Sequence, residues 1–263
     1  MSLDAPARTD EQRLAGRTID LNGDLGESWG VYRHGADAEL MPLLTSANVA
    51  CGAHAGDPRT MRESVALAAD HGVAVGAHVG LADREGFGRR LIPTSAQEVH
   101  DLCLAQLGAL DGFLRAAGVP MAHLKLHGAL YVMANADEEL ADAVCRAVQA
   151  FDPRLLVTAL PSSALAARAE ASGLGVVAEF FADRPYRDGR VRMFGFSPAE
   201  VGSPADAAER TVAALADPGR GADLGTVCVH SDTPGAPALL SAVRQRLLDE
   251  GCVPAPPGRR THR

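Results

Sequence analysis

Short apolar runs of four to six residues alternate along the chain with longer stretches of helical periodicity. The runs predict strands at residues 18–21, 45–50, 73–77, 121–126, 155–160, 175–180 and 226–229. None alternates strictly between apolar and polar, as expected of parallel strands covered on both faces. The intervening segments carry clear helix punctuation. Asp57-Pro58 supplies a cap and a first-turn proline for a helix over 59–71 that stops at Gly72. Ser95 and Glu98 form a capping box ahead of Leu102, Leu107, Leu110 and Leu114, and that helix ends near Gly118 and Pro120. Ser203-Pro204 with Asp206 opens a helix to about Ala216, and another spans 236–250, closed by Gly251. Helices over 137–150 and 162–172 complete the set. A flexible N-terminus over 1–16, one domain over 17–252 and a disordered tail over 253–263 are expected, with no internal repeat or dividing linker.

Strand followed by helix, seven times over, implies parallel strands joined by right-handed crossovers. A doubly wound sheet and a closed α/β barrel both satisfy that order. The polar residues arbitrate, because six of the seven strand ends bear carboxylate, imidazole or ammonium groups. The first leads into Asp20, Asn22, Asp24 and Glu27; the second into Asn48, His54 and Asp57; the third into His78, Asp83, Arg89 and Arg90. The fourth delivers Lys125, His127 and Tyr131, the sixth Glu179, Asp183, Arg184, Tyr186 and Arg187, and the seventh His230 and Asp232. In a parallel barrel those ends meet at one face, whereas an open sheet spreads them across its width. Closure is therefore expected, with Ile19, Leu21, Val49, Val75, Leu124, Val157 and Val227 filling the barrel interior.

Some of these residues have plainer readings. Asp20 and Asn22 are also suited to capping a turn, and Asp57 to capping its helix. Arg89-Arg90 beside Gly-Phe-Gly reads as a solvated pair or as an anion site. His34, His71, His100, His123 and His262 have no polar company in sequence and read as structural or solvent-facing.

Composition narrows the chemistry. The chain has 263 residues and a formal charge of -8, so it offers no electrostatic footprint for nucleic acid. It lacks the apolar stretch of a membrane span and the apolar start of a secretory signal, and its five scattered cysteines never pair as CxxC. A cytoplasmic protein is expected. Lys125 is the only lysine in a chain whose other basic residues are all arginine, which marks a point charge that a guanidinium does not replace. Phosphate-loop, dinucleotide, HExxH and GxSxG signatures are absent. The residues thus describe an α/β-barrel hydrolase or lyase with carboxylates, imidazoles and one ammonium around a small polar substrate.

Seven motifs occur in order: Ile19-Asp-Leu-Asn-Gly-Asp-Leu-Gly-Glu27, Ser46-Ala-Asn-Val-Ala-Cys-Gly-Ala-His-Ala-Gly-Asp57, Gly76-Ala-His78, Gly86-Phe-Gly-Arg89, Lys125-Leu-His-Gly-Ala-Leu-Tyr131, Phe181-Ala-Asp-Arg184 and Val229-His-Ser-Asp232. Together they resemble the LamB/YcsF family from about Arg17 to Gly251. The resemblance implies a seven-stranded parallel (β/α) barrel of the glycoside hydrolase/deacetylase type. It also implies ATP-dependent opening of 5-oxoproline to L-glutamate, with ATP (accompanied by Mg2+) hydrolysed to ADP and phosphate and with PxpB- and PxpC-type subunits as partners. A homo-oligomer is left open.

Carried onto this sequence, the expected catalytic residues are Asp24, Glu27, His54, His78, Lys125 and His127. Lys125 and Arg184 suit phosphate or a substrate carboxylate, and His54, His78 or His127 suits the general base. The expected substrate-binding residues are Asp20, Asn22, Asn48, Arg89, Tyr131, Arg184, His230 and Asp232. Departures from the family pattern at Ala53, Val79, Leu126, Val132 and Ser231 leave another lactam open as substrate. Two other readings stand beside this one. The first is a metal-dependent hydrolase or deacetylase using Asp24, His54 and His78; the second is a non-catalytic subunit that binds a small acid. Residues 80–90 and 183–192 are expected to lie over the barrel mouth, one of them as a lid.

Overall fold

A computed structural model describes residues 14–219 and 221–258. Seven parallel strands, β1 (Thr18–Leu25), β2 (Ser46–Ala50), β3 (Ala74–Val79), β4 (Met121–Leu126), β5 (Leu156–Ala159), β6 (Gly175–Phe181) and β7 (Leu224–Cys228), pair in sequence order. The ring closes where β1 pairs with β7, Asp20 opposite Thr226 and Asn22 opposite Cys228. Closure is what the polar strand ends imply.

Outside the strands run α1 (Pro58–His71), α2 (Ala96–Ala117), α3 (Gly128–Ala136), α4 (Glu138–Phe151), α5 (Ala164–Ala171), α6 (Pro204–Ala216) and α7 (Ala236–Asp249). Their ends follow the sequence signals. The Asp57 side chain accepts the Thr60 N–H at the start of α1, and capping boxes at Ser95/Glu98 and Ser203/Asp206 open α2 and α6. Gly72 and Gly118 close α1 and α2 in the left-handed conformation. Helix α3 was not expected. It is apolar on most sides and starts straight from β4 with no side-chain cap, so it offers neither periodicity nor punctuation. Among the described residues, no helix is long and apolar enough to cross a membrane. All five cysteines are free and buried.

Both expected chain ends need correction where they are described. Leu14 is fully buried and the Gly16 N–H donates to Gly251 O, so residues 14–16 belong to the fold. Val253–Pro254 adds a short parallel strand to β1, pairing Val253 with Thr18. The rest of both expected segments, 1–13 and 259–263, lies outside the described residues.

The barrel interior is also corrected. Successive residues of a strand point to opposite faces, and Asn22 and Lys125 both reach Glu179 across the ring, which fixes the inward parity. Asp20, Asn22, Asp24, Ser46, Asn48, His78, His123, Lys125, Glu179, Thr226 and Cys228 therefore share the lumen. The expected filling residues Ile19, Leu21, Val49, Val75, Leu124, Val157 and Val227 occupy the alternate positions. They are fully or almost fully buried and join the hydrophobic core on the helix side of the sheet. The lumen is packed, as expected, but with polar groups.

Candidate active site

The lower half of the lumen is a hydrogen-bond network, in which the buried His123 Nδ1 is left without a partner. Asp20 accepts from Thr45, Ser46 and Thr226, and Asn22 donates to Thr226 and Glu179. Asn48 donates to Asn22 and Asp24, and its carbonyl lies 2.6 Å from His123 Nε2. Burial pushes the Asp20 carboxyl up to about 6 despite its three hydroxyl donors. Burial likewise pushes His123 down to about 3, keeping it neutral. His123 fits because residue 76 is glycine: a Cβ there would stand 2.3 Å from the imidazole.

Above this layer sits Lys125. Its Nζ lies 2.7 Å from Glu179 Oε1, 3.2 Å from Asp24 Oδ1, and 3.0 Å from both Asn22 Oδ1 and Cys228 Sγ. Burial alone would favour the neutral amine, but the charges of Asp24 and Glu179 outweigh it and hold the Lys125 pKa well above its ordinary value. Burial raises and His78, Lys125 and His230 lower the Asp24 pKa, with a net result well below the usual carboxylate range. Tyr131 donates its hydroxyl to Glu179 Oε2, and burial keeps that phenol protonated.

The third tier is made of imidazoles around Glu27. Glu27 Oε1 lies 3.2 Å from His54 Nε2, 3.4 Å from His127 Nδ1 and 3.8 Å from His78 Nε2. His78 Nε2 and His127 Nδ1 are 3.0 Å apart, and His54 stacks flat on His127 at 3.8 Å. Burial and the neighbouring Asp24 charge raise Glu27 well above the ordinary carboxylate value. Burial and the other imidazoles hold His54 and His127 well below theirs.

At the rim, the loop after β6 brings Asp183 to His230. Asp183 Oδ2 accepts the His230 backbone N–H at 2.9 Å, and its Oδ1 lies 3.1 Å from His230 Nδ1. Although burial opposes it, His230 and Arg184 lower the Asp183 pKa. Arg184 binds Asp183 at 2.8 Å and Thr233 at 3.1 Å, and its buried Nε has no partner. Arg89 reaches Asp232 at 2.6 Å, tying the loop after β3 to the loop after β7.

These groups surround a cavity walled by Asp24, His78, Lys125, His127, Tyr131, Phe181, Arg184 and His230, with Arg89, Leu126, Gly128, Met193 and Phe194 completing it. It measures about 20 Å³, space for about one water molecule. A bound lactam therefore requires a wall to move. The Gly86-Phe-Gly-Arg loop is pinned, since Phe87 O accepts from His127 and Gly88 O accepts the Ala129 N–H. The other wall follows a two-stranded hairpin, Tyr186–Arg187 against Arg190–Val191, and Phe194 within it is 39% exposed. Met193 and Phe194 in that wall lie just past the expected 183–192 segment.

Most of the expected site residues converge. Asp24, His78, Arg89, Lys125, His127, Tyr131, Arg184 and His230 line the cavity, with Glu27 and His54 directly behind the imidazoles. Asp20, Asn22 and Asn48 do not line it; they support it from below. Asp232 does not line it; it pairs with Arg89, which does. Of the expected metal trio, Asp24 Oδ2 lies 3.4 Å from His78 Nε2, while His54 and His78 form a mutually close group with Glu27 and His127, and Asp24 one with Cys228 and His230. His123 is buried in the lumen against Asn48, so its structural reading stands and the solvent-facing one does not. Asp183 and Glu179 were visible as polar strand-end residues, but only the barrel's curvature shows that they serve His230 and Lys125.

The sequence profile of the LamB/YcsF family matches residues 19–261. A protein from Symbiobacterium thermophilum named as the A-type subunit of 5-oxoprolinase is 47% identical over 92% of this chain and 96% of its own length. One of the same name from Bacillus subtilis is 44% identical over 89% of this chain and 94% of its own. The crystal structure of a lactam utilization protein from Thermus thermophilus superposes with a TM-score of 0.83 at 42% identity, covering 90% of this chain and 99% of that one. With its barrel, its ordered strand-end motifs and relatives that match it nearly end to end, the chain belongs to the LamB/YcsF family.

Proposed function

We propose that this chain is the lactam-handling subunit of an ATP-dependent 5-oxoprolinase, which opens 5-oxoproline to L-glutamate. The observation that carries this reading is the single buried ammonium, Lys125, at the floor of a cavity in a chain 44–47% identical to proteins named as 5-oxoprolinase subunits of the A type. The reaction needs a donor for a carbonyl oxygen that gains negative charge, a base for water and a proton for the departing ring nitrogen. Lys125 supplies the donor. His230, steered by Asp183 and facing the cavity, is the base that takes a proton from the attacking water. The protonated His230 then returns that proton to the ring nitrogen. Arg184 offers its free Nε to the substrate carboxylate.

Lys125, Arg184 and Arg89, which line the cavity, are each paired with a carboxylate. Binding of ATP and its Mg2+ is assigned to the PxpB- and PxpC-type partners, so no step here runs through the nucleotide. Of the five departures from the family pattern, only Leu126 lies in the cavity wall, which favours 5-oxoproline over a different lactam.

The test combines this chain, both partner subunits, ATP and 5-oxoproline and follows glutamate. Release that requires ATP and all three proteins is expected. An assembled complex showing no ATP-dependent loss of 5-oxoproline would overturn the assignment.

A further inference from the structure

In the imidazole tier two ring nitrogens and a carboxylate oxygen converge within ligand distance of one another. His78 Nδ1 faces the backbone carbonyl of Lys125 at 3.3 Å, and His127 Nε2 faces that of Phe87 at 2.8 Å. Carbonyl oxygens only accept, so these two nitrogens carry the ring hydrogens. The opposite nitrogens, His78 Nε2 and His127 Nδ1, then present lone pairs to each other across 3.0 Å. Glu27 Oε1 adds a third acceptor, 3.4 Å from His127 Nδ1 and 3.8 Å from His78 Nε2. Three converging acceptors, all buried, suit a shared cation, and Asp24 Oδ2 stands beside them, 3.4 Å from His78 Nε2.

We propose that Glu27 Oε1, His78 Nε2 and His127 Nδ1 are the ligands of a divalent transition-metal site of the zinc class, open toward the cavity. The ligand separations of 3.0, 3.4 and 3.8 Å bracket the edge of about 3.3 Å that 2.0–2.1 Å bonds impose on a tetrahedron. Two imidazoles, each donating its other N–H to a backbone carbonyl, and one carboxylate make a His2Glu set whose tautomers are fixed for ligation. His78 and His127 both line the cavity, so the fourth position points to where substrate enters.

His54 belongs to the same close group but is not a ligand. Its ring lies parallel to His127 within 3° at 3.8 Å, so in-plane lone pairs of both rings do not reach one ion. It is a positioning residue, donating Nε2–H to Glu27 at 3.2 Å.

The experiment strips the purified full-length chain with chelator and titrates Zn2+ and Co2+, reading stoichiometry calorimetrically and Co2+ coordination by visible absorption. One tight equivalent and an intense low-symmetry Co2+ band are expected. Glu27→Gln and His127→Gln each weaken binding by more than 100-fold. His54→Gln weakens it about 10–100-fold and keeps both the stoichiometry and the Co2+ band. Glu85→Gln, on the exposed side of the loop after β3 where Glu85 lies 3.8 Å from Arg90, changes nothing. Circular dichroism verifies folding of each variant. A folded wild-type chain that takes up no metal, or a Co2+ spectrum untouched by Glu27→Gln, would overturn the site. Neither readout passes through turnover, so the result stands apart from the 5-oxoproline assay.

Discussion

The lower and upper halves of the lumen are built from the same strands at the same alternation, yet they solve opposite problems. Below, Asp20, Asn22, Asn48 and Thr226 form a network in which every carboxylate and amide meets a hydroxyl or amide partner. Above, Asp24, Glu27, Lys125 and three imidazoles are crowded at 2.7–3.8 Å, and their protonation is set by one another. A satisfied polar network rigidifies a fold, whereas a crowded charged one responds to any ligand that changes its charge. The lower layer is a scaffold and the upper one a working site.

The contrast breaks most visibly at Lys125. Lys125→Met strands the buried carboxylates of Glu179 and Asp24, and breaking such a pair costs about 3–5 kcal/mol of stability. In the assembled complex it lowers turnover by about 10²–10³-fold, the usual cost of losing a transition-state donor. Turnover within tenfold of wild type in an intact complex would place the chemistry elsewhere.

Asp20 sharpens the contrast through pH. Its folded-state pKa, raised to about 6, makes its contribution to stability fully present below about pH 4 and lost as pH climbs through 6. A shift of that size corresponds to about 3 kcal/mol. Denaturant unfolding of Asp20→Asn should therefore gain about that much on wild type between pH 4 and pH 7. Parallel curves for the two proteins would contradict it.

Gly76→Ala tests the lower packing directly. A Cβ 2.3 Å from the His123 ring is overpacked and is expected to destabilise by about 1–3 kcal/mol in thermal or denaturant unfolding. The smallest effect is expected at the movable wall. Phe194→Ala should change KM for 5-oxoproline by less than about tenfold and leave kcat in place, while hydrogen exchange over residues 186–196 slows when 5-oxoproline binds.

The sequence made the barrel legible because each strand and most helices carry their own punctuation. Asp57, Ser95, Ser203, Gly72 and Gly118 act where their chemistry places them. The converging strand ends were legible because parallel closure leaves them nowhere else to go. The lumen was misread for a specific reason. Ile19, Leu21 and Val49 are apolar and buried, but Asp20, Asn22 and Asp24 at two-residue spacing already held the inward face, and burial was equated with the inside of the ring. His123 and Asp183 were hard to place because their partners, Asn48 and His230, lie 75 and 47 residues away. Such pairings are made by curvature and register, not by local pattern.

The most direct measurement is a crystal structure of this chain with 5-oxoproline bound. The lactam oxygen is expected within hydrogen-bond distance of Lys125 Nζ, the carboxylate on Arg184, and the Met193–Phe194 wall displaced. A ligand bound away from the barrel mouth, with Lys125 still enclosed by Glu179 and Asp24, would contradict the upper lumen as the working site.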